Sequence, residues 1–184
     1  NSLTMTENTL KAMKLGGIYD QIGGGLSRYS TDDRWLVPHF EKMLYDNALF
    51  TTALIETYQV TGKKEFADFA NDLLQYIDRD MTSKEGAFFS AEDADSEGVE
   101  GKFYVWTQEE VEQILGRKTA SIAIPYYNIT PGGNFDGKNI LNITRDPKTV
   151  AKDVGMQEAD ALKELAIARE KLLEVRSKRI RPLL

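Results

Sequence analysis

The residues with the widest chemical reach lie in three short blocks. The single histidine, His39, sits in Trp35-Leu36-Val37-Pro38-His39-Phe40-Glu41-Lys42-Met43-Leu44-Tyr45-Asp46-Asn47. Proline is favoured at the first helical position, so the spacing predicts a helix opening at Pro38 and running to about Thr61. On that helix His39, Lys42 and Asp46 fall at i, i+3 and i+7 and share a face, with Asn47 beside them. Glu41 and Tyr45 form an i, i+4 pair on another face. A histidine in the first turn meets the positive end of the helix dipole, which disfavours a second positive charge. A neutral imidazole is a usable general base. The plainer alternative is a histidine that caps or packs between helices.

The second block is Ser90-Ala91-Glu92-Asp93-Ala94-Asp95-Ser96-Glu97-Gly98-Val99-Glu100-Gly101. Asp93, Asp95, Glu97 and Gly98 match the first half of a calcium loop, but its closing position is Tyr104, which has no carboxylate. Three further readings stay open. Two carboxylates could act as acid and base on a glycosidic bond. They could accept sugar hydroxyls beside Tyr104 and Trp106 as stacking platforms. They could form a solvated acidic turn. The third block is Gly16-Gly17-Ile18-Tyr19-Asp20-Gln21-Ile22-Gly23-Gly24-Gly25-Leu26-Ser27-Arg28-Tyr29-Ser30. It is not a phosphate-binding fingerprint, because no strand precedes it and the glycine spacing differs. Its glycines permit positive φ and close backbone approach, which would present Asp20, Arg28 and Tyr29 from a tight loop. Arg28 and Asp20 could equally be a structural pair. Asn134-Phe135-Asp136-Gly137 reads as a turn.

The elements that must position these blocks are mostly helical. A first helix runs from Leu3 to Leu15, closed by Gly16-Gly17. The stretch Leu44 to Tyr58 is apolar on more than one side, the pattern of a helix buried among others. Phe66, Phe69, Ala70, Leu73, Leu74 and Ile77 make a cleaner amphipathic stripe. Thr107-Gln108-Glu109-Glu110 is a capping box before a helix that should stop at Gly116. Asp146-Pro147 starts a short helix, and residues 157–179 form a long last one. The connections 16–36, 86–106 and 131–143 are rich in glycine and aromatics. Residues 87–89 and 102–106 could form the arms of a hairpin around the acidic turn.

Composition narrows the function classes. The chain has 184 residues, 41% of them apolar and 28% charged, with 23 Lys plus Arg against 29 Asp plus Glu. A net charge of −6 argues against nucleic acid as a partner. No apolar run is long enough for a membrane helix. With no cysteine and one histidine, disulfide frameworks, thiolate zinc sites and two-histidine metal motifs are all excluded. No metal or other cofactor is expected. Charge is uneven: residues 85–112 hold nine acidic side chains and one basic one, whereas Lys171, Arg176, Lys178, Arg179 and Arg181 face only Glu174 in the last stretch. Two Asn-Ile-Thr triplets, at Asn128 and Asn142, match the glycosylation pattern. No secretory signal follows Asn1, so these triplets are discounted and a cytoplasmic location is expected. Both ends read as cuts through a longer protein.

Taken in chain order, the three blocks, with the acidic one continuing through Lys102-Phe103-Tyr104-Val105-Trp106, and Lys178-Arg179-Ile180-Arg181-Pro182 resemble the hallmark segments of the spermatogenesis-associated thioredoxin-like family. The resemblance covers nearly the whole chain. It implies an N-terminal thioredoxin-like domain, absent here, followed by a six-hairpin helical toroid similar to those of N-acylglucosamine 2-epimerases and several glycoside hydrolases. Residues 1–184 would be one partial domain, the N-terminal half of that (α/α)6 toroid. The implied fold is all-α, antiparallel helical hairpins with small β-hairpins in the loops. By analogy with toroids, the pocket would lie at one end of the barrel. His39, Asp93, Asp20 and Glu41 would be catalytic; Arg28, Tyr29, Trp35, Asp46, Asp95, Tyr104 and Trp106 would bind a small carbohydrate-like ligand. The implied function is sugar processing of an epimerase or glycosidase kind. The alternative is a non-catalytic module that binds a ligand or partner for the thioredoxin-like domain. The other half of the toroid would be a further partner. Without it the apolar surface around Leu49 to Tyr58 should lead the chain to self-associate.

Overall fold

The structure, a computed structural model, describes all 184 residues as two compact units, residues 1–101 with 182–184 and residues 102–181. Six helices hold about half of the chain, and the strands are two-residue antiparallel pairs that close no barrel. The protein is therefore mostly α. No helix is long and apolar enough to cross a membrane.

In the first unit, α1 (Ser2–Leu15) is capped by the Asn1 side chain, which accepts from the Leu3 N–H, and ends where the Gly16 N–H donates to Ala12. The predicted helix from Pro38 does not form there. Pro38–His39 is strand β2, paired with β1 (Tyr29–Ser30), and Lys42–Met43 is strand β3. Helix α2 begins six residues later, as Leu44–Thr61, and stops at left-handed Gly62. The reason is pairing: β3 lies against β4 (Ala91–Glu92), and the Leu44 N–H donates to Ser90. These long-range ladders outweigh the local preference of proline for a first turn. The helix α3 (Lys64–Asp80) buries Phe66, Phe69, Ala70, Leu73, Tyr76 and Ile77, so the stripe is as expected except that Tyr76 turns inward and Leu74 outward. α3 packs along α2, and Tyr19, Leu26, Leu54 and Phe69 lie in the shared core.

The glycine loop seats on this pair. Asn47 on α2 accepts from the Leu26 N–H at 2.8 Å and donates back to the Leu26 carbonyl at 3.1 Å. Gly25 has φ +85°, and a Cβ there would meet the Tyr76 ring at 2.7 Å, so the backbone approach needs glycine. The acidic segment folds as a tighter hairpin than expected. β5 (Asp95–Ser96) pairs with β6 (Val99–Glu100) across Glu97 and Gly98, both at positive φ. That is the backbone of a two-residue type I′ turn, whose twist suits a hairpin. Residues 87–89 and 102–106 are not its arms: Phe88 bridges Thr82 and Trp106 bridges Asn139.

In the second unit, α4 (Gln108–Tyr126) starts at the expected capping box, with Thr107 accepting from the Glu110 N–H. Gly116, at φ 70° and ψ 167°, ends the first helical segment of α4 as expected, and a second segment follows directly, burying Thr119, Ala120, Ile122 and Ala123. α5 (Pro147–Asp153) is capped by Asp146, and α6 (Glu158–Arg176) packs on α4 and α5.

Candidate functional site

In the first unit the single histidine lies where three backbone segments meet. Tyr29 on β1 is the register partner of His39 on β2, and their rings stack at 5.0 Å with 23° between planes. His39 Nδ1 is 2.8 Å from Glu100 Oε1 on β6. The Phe40 N–H donates to the same oxygen at 3.3 Å. An ionised carboxylate only accepts, so Nδ1 is the donor in this pair. Nε2 lies 3.9 Å from Glu41 Oε2, and that oxygen accepts from Arg28 Nη1 at 3.0 Å. The ion pair is tied in by the backbone as well, where the Arg28 N–H donates to the Glu41 carbonyl at 2.8 Å. The hydrogen bond to Glu41, then the nearby Tyr45, raises the Arg28 guanidinium above its ordinary value. Asp46 stands near Arg28 and Glu41. Partial burial pushes its carboxyl up, Arg28 pulls it down, and Glu41 pushes it up again; the net shift is upward. Its Oδ2 atom is buried and has no hydrogen-bond partner.

His39 is therefore not in a first helical turn, and the helix-dipole argument for a neutral imidazole does not apply to it. Nor do His39, Lys42 and Asp46 share a helix face. Strand geometry sends Lys42 the other way: its ammonium is buried, 2.9 Å from both Asp20 Oδ2 and the Gly24 carbonyl, over the Tyr76 ring at 4.5 Å. Asp20 holds that ammonium and accepts from the Ile22 and Gly23 N–H groups at 3.0 Å each. Its oxygens are committed to shaping the glycine loop, and Arg28 pairs with Glu41 instead of with Asp20. Asp93 and Asp95 are exposed on the acidic hairpin. Asp93 Oδ1 accepts from the Asp95 N–H at 3.3 Å, and the Asp93 N–H donates to Leu183 at 2.8 Å. No group of three His, Asp or Glu side chains is arranged to hold a metal, so the half-matched calcium loop does not close. Trp35, at φ +61°, packs against the first unit's core.

In the second unit, Tyr104 and Trp106 are buried, which corrects their reading as open stacking platforms. The Arg179 guanidinium lies 3.8 Å from the centre of the Trp106 ring and covers it. It also donates to the Phe103 and Val105 carbonyls, and to Glu110 Oε1 at 2.6 Å. The basic run near the end is thus partly structural, because Arg176 is buried as well. Asn142 is buried, which removes one glycosylation triplet from solvent. Two open surface hollows lie in this unit, about 470 Å³ along α4 and about 730 Å³ around α5, and neither includes any of the expected site residues.

Two residues escaped the sequence reading. Glu100 was inside a quoted block, but only the Glu97-Gly98 turn fixes the register that puts it opposite Asp95 and against His39. Asp32 accepts from the Arg34, Leu36 and Val37 N–H groups and the Ser30 hydroxyl, and so shapes the connection between β1 and β2. The signal available was an aspartate opening a polar turn, which is common.

The arrangement defines a mostly helical protein with an imidazole on a short strand between two carboxylates. No family model matches the chain. It is 36% identical to spermatogenesis-associated protein 20 of Homo sapiens, over 97% of this chain and 26% of the relative. It is 35% identical to the Mus musculus protein of the same name, over 95% and 25%, and 33% identical to an uncharacterized protein of Caenorhabditis elegans, over 99% and 28%. The chain thus spans about a quarter of the length of the curated relatives it matches. The chain is a member of the spermatogenesis-associated protein 20 group over that quarter, which is the family its three motif blocks resemble.

Proposed function

We propose that this chain is part of a carbohydrate-processing domain in which His39 moves a proton at a carbon next to a sugar carbonyl. One observation carries the reading: Glu100 holds Nδ1 and fixes the tautomer, so that Nε2 is the nitrogen able to accept a proton. Glu41, 3.9 Å away, stabilises the imidazolium that results. Arg28 orients Glu41, Tyr29 supports the ring, and Asp46, whose buried Oδ2 has no hydrogen-bond partner in the protein, is a contact to the ligand. Asp93 and Asp95 line the same hairpin as ligand contacts. Epimerase-like chemistry is favoured over a carboxylate pair acting on a glycosidic bond, because Asp20 is held by Lys42 and Glu41 by Arg28.

The helical hairpins belong, on this proposal, to the first half of an (α/α)6 toroid working in the cytoplasm beside a thioredoxin-like domain. The exposed side chains of Tyr45, Leu49 and Ile55 on α2 are then the surface that the second half covers, and in its absence the surface through which the chain self-associates.

The test is solvent deuterium exchange into a panel of reducing sugars, followed by proton NMR. The expected result is exchange that falls at least about 100-fold in His39→Gln, the usual contribution of a general base. Exchange no faster than buffer across the panel, or equal in wild type and His39→Gln, overturns the reading. Binding without exchange would point to the second reading, a non-catalytic ligand module, which the half-exposed Tyr29 ring favours as a stacking surface.

A further inference from the structure

We infer that Lys42 is a positioning residue for this site: its buried ammonium selects the strand register that turns His39 and Glu41 to the open side. The register claim rests on geometry, and only its consequence for catalysis rests on the proposed function. From Pro38 to Met43 burial alternates with a period of two. Pro38, Phe40 and Lys42 are buried, while His39, Glu41 and Met43 are half-buried on the other face. Two members of the inner row are apolar. The third is a lysine whose side chain is 2% exposed, and lysine is almost never buried unless it is paired.

What the ammonium meets explains its place. Nζ donates to Asp20 Oδ2 and to the Gly24 carbonyl at 2.9 Å each, and lies 4.5 Å from the centre of the Tyr76 ring. Glu92, fully buried, is the register partner of Lys42, so the two side chains leave the β3–β4 ladder on one face. Tyr76 donates to Glu92 Oε2 at 2.9 Å. The cation thus stands where the glycine loop, the histidine block and the acidic block meet.

The ladders alone hold this register weakly. β2 and β3 have two residues each, and a slip of one residue reverses every side chain. A slip would bring Glu41 or Met43 to the place of Lys42. Glu41 would add a carboxylate beside Asp20, and Met43 would leave Asp20 and the Gly24 carbonyl without their donor. Either slip also turns His39 off the face on which it meets Glu100. A buried ion pair adds little net stability over an apolar replacement, and its best-attested use is to specify one arrangement.

The experiment reads cross-strand contacts by NMR in wild type and in Lys42→Met, which keeps the length of the side chain and removes its charge. In wild type residue 42 faces Glu92, and the His39 ring lies beside Glu100. In folded Lys42→Met both contacts should be lost or divided between two registers. Hydrogen exchange at the Phe40 amide, which donates to Glu100, should speed up with them. Tyr76→Phe removes a buried hydrogen bond but keeps the cation, so it should lower Tm and leave both contacts in place. Should Lys42→Met fail to fold, Lys42→Met with Asp20→Asn removes the stranded carboxylate and is read in the same way. Where wild type exchanges deuterium into a sugar, the lysine variant should lose about 100-fold, the usual cost of a misplaced group. Unchanged contacts in the folded variant would mean that Phe40 packing sets the register, and overturn the inference. Loss of the contacts in Tyr76→Phe also overturns it, by making them follow stability alone. So does failure of both lysine variants to fold, which would make the ammonium a support of the whole fold. Intact contacts sink the inference and leave the proposed function standing; altered contacts without sugar exchange in wild type do the reverse.

Discussion

Each unit of the molecule holds an arginine, a glutamate and an aromatic ring in one cluster, and the two clusters differ in what surrounds them. In the second unit Arg179 covers Trp106, donates to two backbone carbonyls and to Glu110, and is mostly buried. Burial lowers its guanidinium below the ordinary value, while the charge of Glu110 and its hydrogen bond act in the opposite sense. In the first unit Arg28 reaches Glu41 alone among side chains, near a tyrosine ring and an imidazole that solvent can reach. The same residue types hold a fold together in one place and offer a surface for chemistry in the other. What separates them is whether the backbone closes over the aromatic ring.

The largest expected effect is on the closed cluster. Trp106→Ala should destabilise the protein by about 3–5 kcal/mol in denaturant unfolding, the usual range for emptying a fully buried aromatic site. Arg179→Ala comes next, at about 2–3 kcal/mol, because it strands the Phe103 and Val105 carbonyls and leaves Glu110 without its partner. Arg28→Ala should shift the unfolding midpoint least of the three, since its pair with Glu41 is solvent-exposed. If Arg28→Ala and Arg179→Ala prove equally costly, the contrast between a structural and an open cluster is wrong.

The smallest effects are in pH dependence, and two aspartates of the first unit should show opposite signs. Burial raises the Asp32 carboxyl, but the N–H groups of Val37, Arg34 and Leu36 outweigh it, and the net shift is below 3.8. Its contribution to stability is present above that value and is lost as pH falls through the folded-state value. Asp46 is shifted above 3.8, first by burial. Its contribution is present below 3.8 and is lost as pH rises through the folded-state value. Asp32→Asn should flatten the acid side of a stability–pH profile, and Asp46→Asn the side just above it. Thermal melts of both variants across the carboxylate range check this; a matching sign in the two would remove Asp46 from the charged cluster.

Much of the fold was legible in the chain because helix signals are local. The Thr107 cap, the Asp146-Pro147 start, the Gly62 stop and the α3 stripe each need a few neighbouring residues, and each is found in the structure. The misreadings involve partners far away in sequence. Pro38 looked like a helix start because its strand partner, at residue 30, and the β4 partner of β3, at residues 91–92, are not visible in a local window.

By itself the sequence determined the residue inventory: one imidazole, no thiol, a surplus of carboxylates, glycines where the backbone must pass close to an aromatic ring, and the blocks that carry the family relationship. Only the tertiary structure decided which carboxylate meets the imidazole, which arginine is sealed and which lysine is hidden. The physical reason is that a side chain's direction on a strand reverses with each residue, so a register set by a turn or a distant partner decides the face on which every charge emerges.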